Sequence, residues 1–269
     1  MRTATCWGAL ALALGLGACS DATGPNGGDT RSLDADVARF AADAVVEDID
    51  IMREPVFFVQ LNAFGGGAAF VAGSGDLRPA NCPFNPATGR LECPTIVSNG
   101  VTIDRSYAFW DANDGVQQQY DDQTTARANV RTDIEGERTG LDWSASIERH
   151  RDFTATGLAG TETERTWNGT GSSEVTRSRH TDGGDRSYTL SCTLEVEDLV
   201  VPVPGSGRVW PISGTITRTC TITFVGGARD GQSVTRTVVI TFTGNQVATL
   251  TIGGRTFQVD LATRTAIGS

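Results

Sequence analysis

The sequence predicts a mainly β protein: an antiparallel meander of about ten strands in one large twisted sheet or open barrel, with one N-terminal helix packed on it. Three observations carry this expectation. Apolar and polar residues alternate along most of the chain after Val101. Glycine, asparagine and aspartate interrupt that alternation at short intervals. One early stretch carries apolar residues at helical spacing instead.

That stretch begins at Ser32, a good N-cap, with Asp34 and Asp36 in the first turn where the helix dipole favours anions. Leu33, Val37, Phe40, Ala41, Ala44 and Val45 then recur on one helical face. Pro55 ends the pattern, so the helix is expected over about 33–52. Its apolar stripe needs a partner, and a sheet face supplies one. Residues 56–98 read as irregular: Gly65-Gly66-Gly67 breaks any element there, and a small hairpin follows.

From residue 99 to 265 the pattern is strand, turn, strand. Val101 to Trp110 alternates, and Asp111-Ala112-Asn113-Asp114-Gly115 turns. Val116 to about Ile134 reads as one strand, with a turn near Gly136 to Gly140. Leu141, Trp143, Ala145 and Ile147 open the next. Gly157 to Gly160 turns it back through Trp167. Gly169 to Ser172 and Asp182-Gly183-Gly184-Asp185 bound a short strand around Val175. A long hairpin is centred on Ser206, and turns at Gly226-Gly227, Gly244-Asn245 and Gly253-Gly254 separate the last strands. Thr215, Thr217, Thr219, Thr221 and Thr223 fill one face of a strand, as expected for a solvated face built of β-branched residues.

The first eighteen residues read as a targeting segment. Arg2 precedes an apolar stretch from Trp7 to Leu16, too short to span a bilayer core of about 30 Å as a helix. The stretch ends in Leu16-Gly17-Ala18-Cys19. This resembles the lipobox of bacterial lipoproteins: an aliphatic residue, two small residues, then the cysteine that receives diacylglyceryl and becomes the mature N-terminus. The resemblance covers about twenty residues. It implies cleavage before Cys19, lipidation of Cys19, and a place in the cell envelope. In such proteins an aspartate directly after the lipidated cysteine retains the protein in the inner membrane. Ser20 stands there and Asp21 follows, which implies the outer membrane. Residues 19–31 are turn formers and read as a flexible tether to a single β-rich domain, 32–269.

With Cys6 in the signal and Cys19 used for lipid, four of six cysteines remain. An exported chain with four cysteines suggests two disulfides. Cys82 and Cys93 are equidistant from the turn Asn85-Pro86-Ala87-Thr88-Gly89; Cys192 and Cys220 are equidistant from Ser206 in Pro204-Gly205-Ser206-Gly207. Cysteines equidistant from a turn face each other in a hairpin, so the expected pairs are Cys82–Cys93 and Cys192–Cys220. Neither has the two- to four-residue spacing of a zinc knuckle, and no metal is expected.

The chain's 22 basic residues are all arginine, and its net charge is −10. Without Arg2 that becomes −11. Such a domain is repelled by phosphate backbones, so no nucleic-acid partner is expected. No catalytic residue and no cofactor is assigned. His150 and His180 are the two histidines, and no Gly-x-Ser-x-Gly or His-Glu-x-x-His motif accompanies them. Asp111 to Gly115 lacks the distal glutamate of a calcium loop and reads as a hairpin turn. Gly65-Gly66-Gly67 and Gly253-Gly254 lack the strand–helix setting of a phosphate loop. Trp110, Trp143, Trp167 and Trp210 read as core or sheet surface. Arg149, His150, Arg151, Glu162, Glu164, Arg165, Arg177, Arg179 and His180 read as cross-strand ion pairs on solvated strands.

The expected function is that of a membrane-anchored, non-enzymatic envelope lipoprotein with a structural or protein-contact role. Its partners are then the membrane, through the N-terminal lipid, and other envelope proteins. The alternative is a binding module that holds an apolar ligand or lipid between helix and curved sheet. That arrangement resembles, in organisation only, lipid-carrier lipoproteins that pair a half-barrel with a helix.

Overall fold

The computed structural model describes residues 81–267, apart from 99, 142, 161, 180–184 and 204–205, together with ten positions between 37 and 52. The lipobox, Cys19, the tether, Leu33, Phe40 and residues 53–80 lie outside the described residues.

Among the described residues, fourteen strands form one antiparallel sheet. They are β1 (Phe84–Asn85), β2 (Arg90–Glu92), β3 (Ile96–Ser98), β4 (Val101–Asp111), β5 (Val116–Gln117), β6 (Thr125–Thr139), β7 (Trp143–Thr156), β8 (Glu164–Arg179), β9 (Arg186–Pro202), β10 (Ser213–Val225), β11 (Ser233–Thr241), β12 (Val247–Ile252), β13 (Arg255–Asp260) and β14 (Thr265–Ile267). The path across the sheet runs β1-β2-β4-β6 and then through β14 in chain order, with β3 and β5 paired to β4 beside it. Short turns between consecutive strands make each the nearest partner of the next, which produces the meander. Among the described residues the sheet stays open, between a two-residue β1 and a three-residue β14. Edges this short offer little unpaired backbone to another chain.

The antiparallel, mainly β architecture agrees with the sequence pattern. The count of about ten strands is corrected to fourteen. Residues 116–134 divide into β5 and β6, because Asp121 breaks the run: its carboxylate accepts from the amides of Gln123 (2.9 Å) and Thr124 (3.0 Å). The short β1, β2, β3 and β14 carry too few residues to register as alternation. In the other direction, Gly169 to Ser172 is no turn but the middle of the sixteen-residue β8. The glycines there answer to close packing: a Cβ on Gly169 would lie 2.2 Å from the Asp152 carbonyl oxygen.

The N-terminal helix expected over about 33–52 is described only in part. The one helical element with described bounds is a 3-10 turn, Gly227–Arg229. Ten positions between 37 and 52 are described, Val37, Ala41, Val45, Asp48 and Met52 among them, and each is helical and buried. A run of this length is marginal as an isolated helix, so propensity alone does not fix its extent; packing does.

Buried side chains line one face, here the inner face. One transverse row runs Tyr107, Val130, Phe153, Gly169, Val196, Ile216, Ile240, Leu250, Phe257 from β4 to β13. All but the glycine belong to the main core cluster, as do Val37, Val45 and Met52. Each such side chain contributes about 1.5–3 kcal/mol when fully removed from water. The opposite face of β10 and β11 carries hydroxyls that meet across the strands: Thr221 with Thr235 at 2.9 Å and Thr219 with Thr237 at 3.3 Å.

A bulge keeps the inner face continuous. Leu190, Cys192, Leu194 and Val196 point inward on even numbers, then Leu199 and Val201 on odd ones. The phase change falls at Asp198, which has φ 46° and gives β9 one extra residue against both neighbours. Asn168 braces it, accepting from the Asp198 amide at 2.9 Å. Gly214 lies beneath, where a Cβ would sit 2.4 Å from the Leu199 Cα.

Candidate functional site

The next row along the inner face is of different chemistry: Arg105, Thr132, Arg151, Gly171, Leu194, Arg218, Val238, from β4 to β11. Arg151 and Arg218 stand three strand spacings apart, about 14 Å at the usual strand separation. Their side chains converge on one carboxylate. Arg151 Nε donates to Asp48 Oδ1 at 2.7 Å, and Arg218 Nη2 donates to Asp48 Oδ2. All three side chains are at most 2% exposed.

The neighbours show how the chain builds this. Arg151 must lie flat across β8 to reach inward. Gly171 gives it room: a Cβ there would approach Arg151 Cδ to 2.9 Å and the His150 carbonyl oxygen to 2.6 Å. Arg151 Nη1 then donates to the backbone oxygens of His150 (2.9 Å) and Ser172 (2.6 Å). Arg218 is less well provided. Its Nη2 also donates to the Ala44 carbonyl at 3.2 Å, but its Nε and Nη1 are buried with no hydrogen-bond partner among the described residues. Each such unmet donor costs about 1–3 kcal/mol. Burial holds the Arg218 guanidinium below its ordinary pKa; Asp48 opposes that shift and Arg151 adds to it. Among the described residues, one carboxylate thus answers two buried cations.

The other charged residues of the middle strands divide by face. Arg149, Arg151 and Arg165 are buried, which corrects their reading as residues of a solvated surface. They fall in phase with Ile147 and Phe153 or with Trp167, so alternation itself turns them inward. Arg165 Nε donates to Glu162 at 3.1 Å. His150 lies on the outer face, half exposed, with Nδ1 2.6 Å from Asp133 Oδ1. On the same face Asn129 and Arg131 both donate to Asp152. Burial works against ionisation of Asp152, yet those two donors hold its carboxyl below the usual value.

The remaining sequence candidates are placed as follows. Cys82–Cys93 and Cys192–Cys220 both sit at disulfide-bonding distance, the second pair directly opposed on β9 and β10. Cys19 and His180 lie outside the described residues. Asp111 accepts from the amides of Asn113 and Gly115, each at 2.8 Å, so its carboxylate serves the turn. Among the described residues, no group of three or more His, Cys, Asp or Glu is placed to hold a metal ion. Trp167 is fully buried in the core; Trp110 lies beneath the Arg127 guanidinium, 4.5 Å from the ring centroid. Among the described residues no helix is long and apolar enough to cross a membrane.

Sequence reading missed the Asp48–Arg151–Arg218 centre. A signal for it existed. Arg218 interrupts the inward phase of Ile216, Cys220 and Ile222, and Asp48 falls on the buried side with Val37, Ala41, Val45 and Met52. A charge within an apolar stripe on two separate elements marks a buried pair.

No protein-family model, curated protein or solved structure matches the chain.

Proposed function

We propose that this is a lipid-anchored envelope protein, cut before Cys19 and held by lipid on that residue in the outer membrane, whose β domain works without catalysis through structural or protein contacts. The lipobox order Leu16-Gly17-Ala18-Cys19 supports the anchor. The observation that carries the role of the domain is the division of its sheet. The inner face is filled by apolar side chains, while the outer face of β9, β10 and β11 presents threonine, serine and glutamate to solvent. In this reading residues of about 33–52 form one helix laid on the inner face, supported by the helical positions there and by Asp48 reaching two strands. Residues 19–31 are the spacer that lets the domain stand off from the lipid. Anchoring by two or three acyl chains is effectively permanent at about 0.8 kcal/mol per buried methylene.

Membrane fractionation tests the anchor. The wild-type chain is expected in the membrane pellet after a high-salt wash, and Cys19→Ala in the soluble fraction. Equal distribution of the two removes the proposal.

One observation favours a second reading, a binding module for an apolar ligand. The segment that carries Asp48 is no part of the hydrogen-bonded sheet, yet its described residues pack on the sheet's apolar face and Asp48 pairs with Arg151 and Arg218. A cover of that kind can be exchanged without breaking a strand pair.

A further inference from the structure

We infer that Arg151 and Arg218 form a recognition site for the oxyanion head of an amphiphile, a fatty-acid carboxylate or a lipid phosphate, which Asp48 occupies as an internal stand-in. The inference rests on the second reading above and names its ligand class.

Four observations converge on it. Among the described residues, two fully buried guanidinium groups share the one carboxylate of Asp48. Two donors of Arg218, Nε and Nη1, are buried and unmet among the described residues, so the site has more hydrogen-bonding capacity than Asp48 uses. Guanidinium is the side chain best matched to carboxylate and phosphate, through a planar fork of donors. Around this polar centre the inner face is apolar: Phe153, Val196, Ile216 and Ile240 lie one row away, where an alkyl chain attached to the head would run. Asp48 presents the same group as a fatty acid, a carboxylate at the end of an apolar stem, here the buried side of Val37, Ala41, Val45 and Met52.

Removal of such a carboxylate uncovers two buried cations, so the cover should exchange only for another anion. A neutral detergent of equal chain length would not serve. A small anion without a chain would lack the apolar part.

The test uses the full chain with Cys19→Ala, which removes the anchor's own acyl groups. Isothermal titration calorimetry is run with laurate, dodecyl phosphate, dodecyl maltoside and acetate. Laurate or dodecyl phosphate, or both, should bind at least tenfold more tightly than dodecyl maltoside and acetate; which of the two binds tells carboxylate from phosphate. Arg218→Gln should weaken the anionic chains at least tenfold and leave dodecyl maltoside unchanged. Asp48→Asn should tighten them about tenfold, since a neutral amide competes poorly. If Asp48→Asn does not fold, hydrogen exchange on the Asp48 chain replaces it: saturating laurate should raise exchange in the peptide containing Asp48. Dodecyl maltoside binding as tightly as laurate overturns the head-group site and leaves the binding module standing. Acetate binding as tightly as laurate, or unchanged exchange at Asp48 with laurate bound, also overturns the inference. Failure of every dodecyl chain to bind removes the head-group site and the binding module together.

Discussion

A glycine decides whether the buried arginines can meet. Arg151 crosses β8 over Gly171, and the obstacle to a methyl group there is backbone, the His150 carbonyl oxygen, which cannot swing away. Gly171→Ala should therefore cost about 1–3 kcal/mol, the range for forcing extra volume into a packed interior. Urea unfolding followed by far-UV circular dichroism measures it; an unchanged midpoint would mean that Arg151 does not lie across β8. The carboxylates of the outer face set a pH limit of their own. Hydrogen bonds from Asn85 and Thr88 hold Glu92, and those from Gln246 and the Thr263 amide hold Asp260, below their usual values, as Asn129 and Arg131 do for Asp152. A carboxyl depressed in the folded state contributes stability above its unfolded pKa of about 4, and that contribution is lost as pH falls through the folded value. The urea midpoint should fall as pH drops from about 5 towards 3. Asp152→Asn should flatten that decline, because the amide cannot titrate. A variant with the same acid limb as wild type would assign the loss elsewhere.

Among the elements, β9 shows how much depends on one extra residue. Its first inward-facing residues are even-numbered and its last odd-numbered, and Asp198 makes the change. Deletion of Asp198 would restore plain alternation and leave Leu199 and Val201 inward, so the bulge is tested by a substitution that keeps the extra residue. Asp198→Val forces a β-branched side chain to φ 46°, at about 1–2 kcal/mol. Thermal unfolding of Asp198→Val should show a loss of Tm of a few degrees; a Tm equal to wild type would contradict the positive φ at Asp198. The same strand marks what sequence conveys and what it withholds. Cys192 and Cys220 could be paired from the chain alone, because two strands meeting at one turn must oppose residues equidistant from it. Asp198 left a trace, the shift of the apolar phase from even to odd numbers between Val196 and Leu199, but its positive φ is not legible in the chain. Val116 to Ile134 looked continuous, since Asp121 acts through side-chain hydrogen bonds that alternation does not report. Arg218 was passed over for another reason: hydrophobic pattern counts the residues that fit, whereas the chemistry lies in the one that does not.

At the scale of the molecule, one open sheet with very short edges carries two unlike faces. The outer face is polar and hydroxyl-rich, suited to water and to weak protein contacts. The inner face is apolar except at its arginine centre, and is covered by a segment that joins it through Asp48. The fold was legible from turns and alternation; the centre was not, because it joins residues about a hundred and more positions apart, 48 with 151 and 218. Both proposed roles place the domain on a lipid surface by way of Cys19. Mass spectrometry of the mature N-terminal peptide tests that most directly. Anchoring predicts a peptide that begins at Cys19 and carries the added mass of a thioether-linked diacylglyceryl group. A mature chain that begins elsewhere, or that begins at an unmodified Cys19, would contradict it.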